Sequence, residues 1–428
     1  MKVIQITFYS LFALFLLPSF SLINIGPIML YSHHLSLMSL PFFLLLFYIE
    51  KNSLALPILS KPHTVIVLVL MFFISQALSI SNAINSFAFL GDFKNITTGI
   101  IIFFLALGLI KNKYSLSLFH SIIIITLIVW TIVHLSISLE TLESAFLFKL
   151  FHPKYVDLFH AHLDNKKIFF ETHFLSLLPV LYYFFFYTKN KTKKVGIFFL
   201  IVILTYLAVI SNFRVTFLIF LSTLPSLFFF NISFLKKLQN ILMLLLLFMV
   251  MGSVILMGMS LSKHIMSTDL IDRFSLVDES SKTSIETRFE LMRSAIEVGS
   301  IYPLTGVGLG NFYEYVNHSQ VLSQTPSQKM LKESSYRDPH NIFFKVYAES
   351  GLLGIVAIIL LLGYFISTDG KYIIKNTNPI MRSYIFVFWS HFLYSLFNPS
   401  FALTYLAFFW MIRGIIEGMK EEKFYFSD

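Results

Sequence analysis

The chain contains no cysteine, so disulfides, zinc–thiolate sites and thiol nucleophiles are excluded together. Charge is also scarce: only 13% of the 428 residues are Asp, Glu, Lys or Arg, against about a quarter in ordinary soluble domains. Apolar side chains fill the space. Hydrophobic residues make up 56% of the chain, with 50 Phe among them, and mean hydropathy is +0.76. Such a composition excludes a soluble globular protein and implies many membrane crossings. The net charge of +9 comes from Lys and Arg scattered between apolar runs. That distribution fits orientation in a bilayer and not a nucleic-acid surface. Met1-Lys2 and the apolar run after it are signal-like in shape, but without a small-residue cleavage site they are expected to remain as the first helix.

Near-continuous apolar runs of roughly 17 to 25 residues mark transmembrane helices. They predict an all-α polytopic fold of about twelve spans, near 5–30, 34–49, 64–82, 95–110, 117–138, 169–187, 195–210, 213–230, 238–260, 352–367, 383–397 and 400–416. The loops carrying Lys51 and Lys61, Lys111 and Lys113, Lys189 to Lys194, Lys236 and Lys237, and Lys371, Lys375 and Arg382 fall on one side with both termini. Basic loops stay in the cytoplasm, so both ends are expected there; in a Gram-negative cell the opposite side would be the periplasm. Three regions follow: a bundle of about nine spans over 1–260, with a smaller periplasmic loop near 139–168; a large helical periplasmic loop over 261–351, between spans nine and ten; and the last three spans with a cytoplasmic tail over 352–428. The smaller loop holds His152, His160, His162 and Asp164. An i, i+2 histidine pair without a clear third ligand predicts no metal site.

The stretch from Tyr336 to Gly354 reads as equipment for chemistry. Asp338 is suited to cap a helix and Pro339 to open it, which predicts His340 in the first turn and a helix that runs on until Gly351 breaks it. There the helix dipole would disfavour an imidazolium and the unsatisfied amides would favour an anion. A proton acceptor beside an anion site suits transfer from a phosphorylated donor; the plain alternative is a histidine that packs a surface helix. Upstream, Thr283 and Glu286 fit a capping box opening a helix over Ser284–Val298. Leu291, Ala295, Met292, Ile285, Ile296 and Phe289 fall on one arc of it, and Glu286, Glu290, Arg293 and Glu297 on another. Arg293 therefore has acidic neighbours, whereas Arg288 rises from the apolar arc without an acid one turn away. An anionic lipid head group would suit it, and snorkelling is the alternative. Arg214, among apolar helix, poses the same choice. Gly306-Val307-Gly308-Leu309-Gly310 lacks the Lys of a nucleotide loop and predicts a tight turn packed close to the site.

Together, Pro303-Leu304-Thr305-Gly306-Val307-Gly308-Leu309-Gly310-Asn311-Phe312, Pro339-His340-Asn341-Ile342 and Glu349-Ser350-Gly351-Leu352-Leu353-Gly354 resemble the O-antigen ligase and O-antigen polymerase superfamily. The resemblance implies a periplasmic-face glycosyltransferase that moves a glycan from undecaprenyl diphosphate, without cofactor or metal. It places the essential loop histidine at His340 and the two arginines at Arg288 and Arg214; Arg337 and Asn341 are expected as further substrate contacts. One departure is Met292, where the superfamily usually has Trp. The acceptor would be lipid A-core in a ligase, the reading favoured by the single dominant late loop and a 139–168 loop without Arg, or another lipid-linked glycan in a polymerase. A transporter of lipid-linked sugars is the rival from another class. Against it stand the lack of an evident repeat and the placement of the distinctive residues in an outer loop. Expected partners are these glycan lipids and the bilayer, with no nucleic acid.

Overall fold

In a bilayer the backbone must satisfy its own hydrogen bonds, so long apolar runs fold as helices. The computed structural model describes residues 6–10, 12–13, 21–25, 28–31, 37–39, 41, 64–109, 113–138, 172–210, 214–229, 279–318, 338–375, 378–398 and 401–421. Among them helix dominates. In chain order the helices are α1 (Thr64–Leu78), α2 (Ser86–Leu109), α3 (Lys113–Ser138), α4 (Thr172–Ser176), α5 (Leu178–Tyr187), α6 (Lys191–Ile210), α7 (Arg214–Thr223), α8 (Glu279–Gly299), α9 (Phe312–His318), α10 (Ile342–Lys375), α11 (Pro379–Ser395) and α12 (Leu403–Glu421). Short 3-10 segments extend α1 through Asn82 and α7 through Phe229.

Thr64–Asn82, Ser86–Gly108 and Ile342–Lys375 are long and apolar enough to cross a membrane, and Leu116–Val129, Phe174–Tyr187 and Val215–Phe229 are shorter apolar helices. The chain is a membrane protein. The expected span near 238–260 and the loop near 139–168 lie outside the described residues, as do most of the span near 34–49 and residues 261–278 and 319–337 of the long loop.

Three expectations need correction. The first helix, near 5–30, does not run its full length: Ser21–Ile25 (β1) and Ile28–Tyr31 (β2) pair as an antiparallel hairpin, while the described fold is otherwise helical as expected. The intervening sequence is Gly26-Pro27, and a proline lacks the amide that a continuing helix requires. The helix near 95–110 begins nine residues earlier, at Ser86, where the polar residues Asp92, Lys94 and Asn95 had obscured it. The helix near 169–187 is divided at Leu177, just before Pro179 at the start of α5.

The bundle core combines α1 to α7 and the three late helices. α2 and α12 run parallel, since Asn95 Nδ2 donates to the Phe401 carbonyl at 2.9 Å near one end and Gly414 packs against Phe103 further along. Their backbones approach closely because Gly99 lies under Trp410 and Gly414 under the Phe103 carbonyl. A second, smaller core is formed by Leu291, Ala295 and Val298 of α8, Val307, Phe312 and Val316 of the following turn and α9, and Ala348 of α10.

Candidate functional site

The site is organised by the break in α10. At Gly351 the backbone takes φ 63°, ψ −159°, a conformation that L side chains avoid. The break removes the helical bonds from the Leu352 and Leu353 amides to the Ala348 and Glu349 carbonyls. The turn after α8 replaces them: Leu352 N–H donates to Pro303 O at 2.8 Å and Leu353 N–H to Leu304 O at 3.1 Å, while the Ala348 and Glu349 carbonyls accept from Val307 and Gly308 N–H, both at 2.9 Å. Four stranded backbone groups are thus satisfied without water. Gly306 also has positive φ, and any side chain there would strike the Glu349–Ser350 peptide. The glycine-rich turn expected at 306–310 is therefore present, clasped into the helix break.

The clasp is held on its far side by the connection between α1 and α2. Asn82 Nδ2 donates to Thr305 Oγ1 at 2.8 Å and Gly306 O at 2.9 Å. Asn85 N–H donates to Asn311 Oδ1 at 2.6 Å, and Tyr315 O–H to the Asn82 carbonyl at 2.9 Å. Within the bundle, Ser350 Oγ donates to Gln76 Oε1 at 2.7 Å.

The segment Asp338–Asn341 enters α10 differently from the expectation. The helix begins at Ile342, and its cap is Asn341, whose Oδ1 accepts from Phe343 N at 2.9 Å and more weakly from Phe344 N at 3.4 Å. Asn341 Nδ2 donates to the Leu396 carbonyl at 3.1 Å, so both ends of this amide are engaged by the fold. His340 precedes the first turn, with φ 54°; Asp338 is not the cap, because its carboxylate reaches along the helix to Lys345. His340 is half-buried. Burial, and secondly the positive charge of Arg288, lower its proton affinity below the ordinary histidine value; a backbone hydrogen bond at Phe397 and the charge of Asp338 oppose this more weakly. The cause is therefore burial and a guanidinium, in place of the helix dipole inferred from sequence.

Arg288 reaches this neighbourhood from α8, which starts at Glu279. Thr283 and Glu286 consequently lie inside the helix and not at its start. The expected arc also divides: Leu291 and Ala295 are buried, whereas Phe289 and Ile296 are exposed, since the core-facing stripe follows 291, 295 and 298. Arg293 pairs with Glu297 at 3.3 Å on the surface as expected. Arg214 opens α7 and is described through its backbone alone. Its end of the bundle is nonetheless fixed. Arg382 near the start of α11 donates to the Phe229 carbonyl at 2.5 Å, so the α7 segment runs antiparallel to α11 and begins toward the end where α11 delivers Leu396 and Phe397 to Asn341 and His340. Arg337 lies outside the described residues.

A group of charges missed in the sequence stands beside His340. Lys345 is 4% exposed; its Nζ pairs with Asp338 and lies 3.7 Å from Asp92 Oδ2 and 3.8 Å from Glu349 Oε1. The signal was present as a lysine inside the apolar run Phe343-Phe344-Lys345-Val346-Tyr347, where an ionisable residue requires partners. The distant Asp92 could not be read from spacing.

No curated protein matches the chain. Residues 199–359 match the protein family described as O-antigen ligase. That segment contains α7, α8, the glycine turn, His340 and the break at Gly351, and over it the chain is similar to that family.

Proposed function

We propose that the protein is a membrane glycosyltransferase that moves a glycan from a polyprenyl diphosphate, undecaprenyl diphosphate in a bacterial inner membrane, to lipid A-core at the periplasmic face. The observation carrying this reading is the environment of His340, where burial and the positive charge of Arg288 both disfavour the imidazolium. A neutral imidazole carries a lone pair on one ring nitrogen.

In the proposed reaction that lone pair takes the proton of an acceptor hydroxyl. The hydroxyl oxygen bonds to the anomeric carbon as the bond from that carbon to the phosphate oxygen breaks, and the diphosphate leaves with the electron pair. Arg288 and Arg214 meet the charge that builds there, with Arg337 as a further phosphate or acceptor contact. One direct displacement inverts the anomeric centre. Asn341 acts by shaping the approach to His340, because its amide is occupied by the cap and by Leu396.

The test is transfer by purified protein given lipid-linked glycan and lipid A-core, without nucleotide. Glycan on lipid A is the expected product. Glycan lengthening without lipid A would convert the reading to a polymerase, and movement of the lipid across vesicles with neither product would convert it to a transporter. His340→Ala is expected to lower transfer by at least ~100-fold while membrane insertion is retained; undiminished transfer would remove the base.

A further inference from the structure

We propose that Lys345 is a positioning residue for His340: it holds Asp338 away from the imidazole and so keeps the histidine poised to accept a proton. The catalytic consequence rests on the function proposed above; the placement itself does not.

Lys345 sits one turn into α10, its N–H donating to the Asn341 carbonyl at 2.9 Å. Three carboxylates converge on its ammonium from separate elements: Asp92 of α2, Asp338 of the entry segment and Glu349 of α10. The Phe401 ring, just ahead of α12, lies 4.8 Å from the same nitrogen. One buried cation thus stands among three acids, of which Glu349 is buried and Asp92 and Asp338 are partly exposed. Of these acids, Asp338 alone also acts on His340. Among the described residues, the groups that act on the imidazole include Arg288 from α8, Asp338 from its own segment and the backbone at Phe397 after α11. Arg288 and Asp338 pull in opposite directions, so the balance depends on how much of the Asp338 charge is spent on Lys345. An uncompensated carboxylate would favour the imidazolium, which cannot act as a base. The same ion pair restrains the entry segment where His340 adopts φ 54°.

The experiment is a titration of His340 in the full-length protein in nanodiscs. Isotope-labelled histidine provides the signal, assigned by its loss in His340→Gln. Lys345→Met is expected to move the His340 midpoint to higher pH, Asp338→Asn to lower pH, and Lys345→Arg to leave it near the wild-type position. In transfer assays, the deficit of Lys345→Met should be about tenfold larger on the acid limb than on the neutral plateau. If Lys345→Met does not insert, Asp338→Asn and Lys345→Arg carry the test. Midpoints unchanged in Asp338→Asn and Lys345→Met, or displaced as far by Lys345→Arg as by Lys345→Met, would overturn the proposal. Midpoints that shift as expected while His340→Gln transfers normally would uphold the placement and remove the base assignment.

Discussion

A histidine that is to accept a proton at neutral pH must be kept unprotonated, and here burial and Arg288 together do this. Both act against the charged form, burial by desolvation and the arginine by repulsion. The sign is then fixed. As pH falls, the active neutral form is lost only on passing through the depressed value, so the acid limb of transfer should lie below about pH 6.5, the ordinary histidine range. A pH–rate profile under limiting acceptor checks this; a limb at or above that range would contradict the environment described for His340. Arg288→Ala removes the repulsion and should move the limb upward, in addition to slowing transfer.

At the scale of elements, the two longest motifs are explained by each other. Neither the glycine turn nor the Glu349–Gly354 run holds ligand-binding chemistry in its own sequence; each supplies backbone groups that the other lacks. The arms of α10 divide accordingly. The residues after Gly351 make a helix of about 36 Å, sufficient for a bilayer core of roughly 30 Å, so the Ile342–Ser350 arm can belong to the site. A Cβ at Gly351 would lie 2.5 Å from the Leu304 carbonyl carbon, on backbone that cannot yield cheaply. Gly351→Ala is therefore expected to cost about 2 to 4 kcal/mol and to open the clasp. Thermal unfolding, with proteolysis of the 303–312 turn, would measure it, and a change below about 0.5 kcal/mol would show that the break is not fixed by the clasp.

For the whole molecule, the other end of the late helices is tied by a second charge group. Arg413 is fully buried; it donates to Asp369 Oδ2 at 2.8 Å and pairs with Glu417. Lys420 Nζ lies 2.9 Å from Asp369 Oδ1 and 3.0 Å from Glu417 Oε1, and Trp389 Nε1 donates to Asp369 Oδ2 at 3.0 Å. Two cations and two carboxylates balance, joining α10, α11 and α12. The Arg413 guanidinium also lies 3.6 Å from the Phe365 ring centroid. Arg413→Met would leave two buried carboxylates facing one lysine, at a cost of about 3 to 5 kcal/mol. Adding Asp369→Asn should recover part of that in unfolding measurements. A loss under about 1 kcal/mol would show that water already reaches the group.

The sequence by itself determined the membrane class, helices at most of the described apolar runs, the end of α8 at Gly299 and the break at Gly351, because hydropathy and glycine act locally. It also singled out His340 and Arg288, whose chemistry is conspicuous among apolar neighbours. What only the tertiary structure decided was partnership. The cap passed from Asp338 to Asn341 because Asp338 found Lys345, Asp92 joined from a helix some 250 residues away, and the two motifs closed into one clasp. Hydrogen bonds and ion pairs between distant segments depend on where the backbone brings them, and no periodicity along a single segment encodes that meeting.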